Sequence, residues 1–198
     1  MRKLVLIVAG FAIFTLAARA QQVDAAIGLS TLMAPSAASA TGNYSAQSIG
    51  GGSFLTLSGD FMLRHHMGVG AEIAWRATQN NYADIVPFRP LFYNFDGVYA
   101  PPLAKNVALD LKAGIGVESS RFYQGTTVSC SSFSTSCTDY TSSNHFMGHF
   151  GGGIKFYPMN HVFIRPGVDL YLIHNNLEFS GAHATRVGLS LGYTFGGE

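Results

Sequence analysis

From Gln21 onward the chain alternates apolar residues with polar or small ones, in blocks of about ten residues. The last block shows it most clearly. Val187, Leu189, Leu191, Tyr193 and Phe195 make one face, and Arg186, Gly188, Ser190, Gly192 and Thr194 make the other. Another block sets Val107, Leu109, Leu111, Ala113, Ile115 and Val117 against Ala108, Asp110, Lys112, Gly114, Gly116 and Glu118. Successive side chains on a strand point to opposite faces, whereas a helix would spread this period around its circumference. The same reading over Val23 to Thr31, Phe54 to Leu63, Met67 to Ala77, Phe88 to Tyr99, Phe146 to Tyr157 and Val162 to Leu172 gives eight strands in all. Pro166 interrupts the seventh, removing a ladder donor and suggesting a bulge there.

The connections sort into two classes. Arg64-His65-His66, Ala100 to Asn106 and Pro158-Met159-Asn160 are short. Leu32 to Gly52, Thr78 to Pro87, Ser119 to His145 and His174 to Gly181 are longer. Strict alternation of short turns with long loops is the pattern of an up-and-down barrel, with both chain ends on the turn side.

Composition decides what surrounds such a barrel. Charged residues are only 12% of the chain, against about 25% in a soluble domain. After the N-terminal run, no apolar stretch reaches the length of a membrane-spanning helix. A chain this apolar without a spanning helix satisfies its backbone in a bilayer only as a closed barrel. Residues 1–20 read as a secretory signal: Arg2 and Lys3, an apolar run from Leu4, then Ala18-Arg19-Ala20, with cleavage expected between Ala20 and Gln21. Residues 21–198 then form the barrel domain. Loss of Arg2, Lys3 and Arg19 takes the formal net charge from +1 to about −2, so no basic surface for nucleic acid is expected.

The contents of the two faces orient the wall. Turned to water, the polar set would be a poorly solvating surface of Gly, Ser and a few charges. Turned inward, its glycines leave room and its charges pair. Large rings on the apolar face cluster near strand ends, with Trp75 and Tyr93 toward the loops and Phe61, Tyr99, Phe156, Tyr193 and Phe195 toward the turns. They match the interfacial aromatic girdles of membrane barrels. The inward set includes Asp24, Asp60, Glu72, Asp96, Asp110, Glu118 and Asp169 against Arg76, Lys112, Lys155, Arg165 and Arg186. An eight-stranded interior is only wide enough for side chains to fill, and an unpaired ion there costs several kcal/mol or more. These residues are therefore expected to form a paired network, either a fixed polar core or a gate for small solutes.

Little chemistry is visible beyond this. Of the seven histidines, His149 is expected to point inward as a network member, and His65 and His66 occupy a turn. His145, His161, His174 and His183 sit at strand ends, and no metal or cofactor site is expected. Cys130 and Cys137 lie close together in a Ser- and Thr-rich loop, and in an exported chain they read as a disulfide.

At this level the chain resembles the small outer-membrane β-barrel superfamily, of the OmpA transmembrane-domain type. The resemblance rests on the strand pattern and on Tyr193-x-Phe195, and it covers essentially the whole mature chain. It implies an all-β, eight-stranded antiparallel up-and-down transmembrane barrel in the cell outer membrane, with both termini periplasmic. It also implies a monomer contacting outer-membrane lipid and the outer-membrane assembly machinery, with loops open to an extracellular ligand. The expected function is a structural or surface-interaction platform and not an enzyme. The alternatives are a narrow, porin-like channel for small solutes and, behind it, a lipid-modifying membrane enzyme.

Overall fold

The computed structural model describes residues 22–35, 48–82, 86–123, 140–175, 179 and 182–196. The expected cleavage site at Ala20 and Gln21 and the cysteines Cys130 and Cys137 lie outside them. Eight long strands carry the architecture: β1 (Gln22–Met33), β2 (Ser53–Arg64), β3 (Met67–Arg76), β4 (Val86–Tyr99), β5 (Val107–Tyr123), β6 (Tyr140–Phe156), β7 (Val162–Ile173) and β8 (His183–Gly196). Each pairs antiparallel with the next, and β1 closes the ring on β8 from Gln22↔Gly196 to Met33↔Thr185. Two three-residue segments, Asn80–Tyr82 and Pro102–Ala104, fold back on the first residues of β4 and β5. The sheet is a closed, eight-stranded, antiparallel barrel.

The strands outrun the sequence pattern at the loop end. Ser119 to Tyr123 and Tyr140 to His145 are read from sequence as loop, yet they continue the β5–β6 ladder to Tyr123↔Tyr140. Beyond the apolar band the wall has no oily face to maintain. The backbone ladder therefore persists while the period-two contrast fades into Ser, Thr and Asn. Pro166 also departs from expectation. Its register with β8 is continuous through Pro166↔Leu189, and on the β6 side Gly153↔Gly167 and Phe156↔Ile164 keep one register, so there is no bulge. The missing N–H is absorbed as a local gap in the ladder. A register irregularity occurs instead at the β2–β3 turn, between Met62 and Arg64, where His65 has a φ of 30°.

The wall sorts by parity. Outward positions leave Ile27, Leu29, Leu57, Phe95, Ile115, Phe150, Leu189 and Leu191 more than half exposed, while the inward positions between them are mostly buried. A continuous apolar belt of this extent is incompatible with water and marks the lipid-facing wall of a transmembrane barrel. Inward glycines create space for ions. A Cβ at Gly70 would meet the Asp60 carboxylate, one at Gly114 that of Asp96, and one at Gly151 that of Asp169.

Candidate functional site

The turn-side half of the lumen holds an ionic cluster. Lys155 enters from the end of β6, and its Nζ lies 2.7 Å from Asp24 Oδ2, 3.4 Å from Asp110 and 3.6 Å from Asp60. Lys112 Nζ donates to Asp60 at 2.6 Å. Arg165 Nη1 donates to Asp110 at 2.8 Å, and its Nη2 donates to the Ser58 hydroxyl at 3.2 Å and lies 3.8 Å from Glu72. Six strands contribute: β1 (Asp24), β2 (Ser58, Asp60), β3 (Glu72), β5 (Asp110, Lys112), β6 (Lys155) and β7 (Arg165). Sequence neighbours cannot do this; the closed topology brings the charges together.

A second layer sits toward mid-barrel. Arg186 Nη2 is shared by Glu72 and by Asp169, the latter at 2.7 Å. His149, fully buried, places Nδ1 2.8 Å from Asp96 and Nε2 3.2 Å from Asp169. Both carboxylates are satisfied together only when the imidazole carries both its protons. Asn94 Nδ2 donates to Asp96 at 2.5 Å. Asp24, Asp60, Glu72, Asp96, Asp110 and Asp169 thus face Lys112, Lys155, Arg165 and Arg186, with His149 bridging two of the acids. Two residues expected in the same network stand apart from it. Arg76 lies at the loop end, where its Nη2 donates to the Gly50 carbonyl at 3.3 Å and its guanidinium covers the Phe88 ring. Glu118 accepts from the Ser120 hydroxyl at 2.7 Å.

Above the ions the lumen turns apolar. Leu32, Ile49, Phe54, Phe88, Phe92, Met147, Tyr171, Ile173 and Phe179 form one buried cluster, with Tyr82 and Phe122 against it. Phe92 stacks on Tyr171 at 4.9 Å, and Tyr171 stacks on His149 at 5.0 Å, so the cap rests directly on the ionic layer. Phe179, from the last loop, meets Phe88 at 5.0 Å and Tyr82 at 5.5 Å. The sequence pattern passed over this cap because large apolar residues on the inward face weaken the alternation used to find strands. Parity was the available signal. Phe54 shares a face with Asp60, Phe92 with Asp96, and Met147 with His149.

Between the charges a cavity of about 30 Å³ remains, lined by Glu72, Asp110, Lys112, Arg165, Asp169 and Arg186. That is room for no more than a few water molecules. At the turn-side mouth a bowl of about 440 Å³ opens beside His65, His66, Lys105 and Tyr157 and reaches Lys155. On the outside wall Phe61, Tyr93, Tyr99, Phe156, Tyr193 and Phe195 are exposed, and Trp75 is half-buried.

An apolar wall closed around an ionic and aromatic interior defines a small transmembrane β-barrel. The sequence matches the family model of the outer membrane protein beta-barrel domain over residues 5–195, and the chain belongs to that family. The protein is therefore an outer-membrane barrel. No curated protein matches by sequence. Among solved structures, the fold is similar to that of Ail, the attachment invasion locus protein of Yersinia pestis, at 13% identity and a TM-score of 0.57, covering 89% of this chain and 99% of that one. It is also similar to the N-terminal barrel domain of Pseudomonas aeruginosa OprF, at 12% identity and TM-score 0.55, covering 89% and 98%. Neisserial surface protein A matches at 11% identity and TM-score 0.56, covering 87% and 94%.

Proposed function

We propose that the protein is a rigid platform in the outer membrane that presents its long loops to the cell's surroundings, with its turns and both ends in the periplasm. The observation that carries this reading is the filled lumen: an ionic plug below and an aromatic cap above, with room for no more than a few waters between the charges. A barrel so packed is a support, and what varies on such a support is its loops. The reading is compatible with the fold of the Yersinia pestis attachment invasion locus protein, one structure of which holds the heparin analogue sucrose octasulfate.

In this reading residues 1–20 direct export and are removed after Ala20. Cys130 and Cys137 form a disulfide in the third long loop, and the barrel works as a monomer inserted by the outer-membrane assembly machinery, without enzymatic activity. The test combines labelling and deletion. A membrane-impermeant reagent should reach a cysteine placed in a long loop on intact cells, and should miss one placed at His66 or Met159. Deleting the tip of the third long loop should abolish adhesion of whole cells to an extracellular-matrix surface while leaving the folded barrel intact. Labelling of the turns from outside, or unchanged adhesion after deletion of every long loop, would sink the reading.

A further inference from the structure

At the loop end of the wall two arginines stand directly opposite one another. Arg89 of β4 pairs with Arg121 of β5 in the antiparallel register, and Arg121 pairs on its other side with Ser142 of β6. Both point outward. Their neighbours Phe88, Ser120 and Phe122 face the lumen, where the two phenylalanines pack in the cap and Ser120 holds Glu118. Same-face residues in register have Cβ atoms about 5 Å apart, and like charges so placed repel. A natural strand pair would relieve this with a carboxylate. Here, among the described residues, neither arginine has one. Arg89 donates only a long bond from Nη2 to the Ala77 carbonyl, at 3.5 Å, and Arg121 lies over the Tyr140 ring. Among the described residues, the Nε of each is shielded from solvent and has no hydrogen-bond partner.

Position along the wall suits an anion drawn from the surrounding lipid. Reading upward from the apolar belt, the outward rows across β4, β5 and β6 run Tyr93, Val117 and Phe146, then Leu91, Ser119 and Asn144, then Arg89, Arg121 and Ser142. Four residues of tilted strand raise the arginines about 10 Å above the Val117 row. That lifts them out of the hydrocarbon to the outer edge of a headgroup layer roughly 5 to 8 Å deep. Guanidinium groups facing outward at that depth, with hydroxyl and amide donors below and beside them, suit a phosphate. Arginine binds phosphate through two parallel N–H donors, and a shared phosphate would turn the Arg89–Arg121 repulsion into a bridge.

We infer that Arg89 and Arg121, with the exposed Ser142 beside them, form a binding site on the barrel's outer wall for the phosphate of a phosphorylated glycolipid of the outer leaflet. The choice of leaflet rests on the loops-outside orientation proposed above, and the site's chemistry does not. The site is separate from the lumen. It would anchor the barrel laterally in its own membrane and fix its height there.

Native mass spectrometry of the detergent-solubilised barrel tests this with three probes: diphosphorylated lipid A, the same lipid stripped of both phosphates, and phosphatidylglycerol. The wild type should retain diphosphorylated lipid A about tenfold more tightly than either of the others. R89A and R121A should each weaken that retention by about tenfold, and the double variant should lose the preference for phosphate. R89K/R121K should restore part of it, since lysine keeps the charge without the fork. Variants are scored only if they keep the gel mobility of a folded barrel; the wild type's ranking of the three lipids decides the matter without them. Equal retention of the stripped lipid, or an unchanged R89A/R121A protein, would overturn the site. Equal retention of phosphatidylglycerol would overturn its assignment to the outer-leaflet glycolipid. Cell-surface labelling of the loops reports orientation independently, so failure of that reading is distinguishable from failure of the site.

Discussion

Lys155 is the residue on which the turn-side plug depends most. Its ammonium faces Asp24, Asp60 and Asp110, all of them buried, and it lies against the Phe163 ring at 5.3 Å. Burying an ion pair in place of apolar side chains gains little, whereas removing one partner strands the other charge. Lys155→Met keeps the volume and deletes the charge, leaving three carboxylates with only Lys112 and Arg165 to share. The expected cost is about 3 to 5 kcal/mol, read as a lowered urea midpoint for the barrel in lipid vesicles. A change under about 1 kcal/mol, the size of an exposed ion pair, would show that water reaches the cluster and screens it. Arg165 and Arg186 carry comparable loads, since each joins carboxylates from different strands.

Strands are where the sequence was most informative, and β6 shows both its reach and its limit. Period-two alternation placed β6 and assigned Lys155 and His149 to the lumen, and the packed structure puts both there. It could not say that Lys155 meets Asp24 across 131 residues of chain, because partner choice depends on how the strands tilt and close, and local alternation carries no information about that. It also grouped Arg76 and Glu118 with the network on parity alone. Height along the strand separates them, since both lie in the loop-side half beyond the ionic layers. Parity itself can be tested on the glycines of β6. A Cβ at Gly151 would strike the Asp169 carboxylate and crowd the His149 ring, whereas one at the outward-facing Gly152 would make only ordinary contact with Leu111 at 3.7 Å. Gly151→Val should therefore cost about 1 to 3 kcal/mol or prevent insertion. Gly152→Val, adding apolar surface to a lipid-facing wall, should refold at wild-type yield. Refolding followed by gel mobility separates the two, and equal behaviour would mean that the strand's faces are not as described.

For the whole molecule the arrangement of plug and cap decides whether anything passes. They are two closures in series, made of opposite chemistry and joined where Tyr171 stacks on His149. An ion arriving from the turn side enters the bowl and meets Lys155 and its three carboxylates; one arriving from the loop side meets a buried cluster of rings, with Arg76 over Phe88, that replaces little of its hydration. Opening either closure alone leaves the other intact. The purified protein in a planar bilayer should therefore be silent, and the F88A/F92A variant should also be silent, although it loses about 3 to 5 kcal/mol of stability for each ring removed. The second expectation is the more demanding, because that variant hollows the cap where Phe88 meets Phe179 and Phe92 meets Tyr171. Discrete conductance steps in the wild type would show that both closures rearrange together and would make the barrel a channel. Steps in F88A/F92A alone would show that the ionic layers leak and that the aromatic cap is the only true seal.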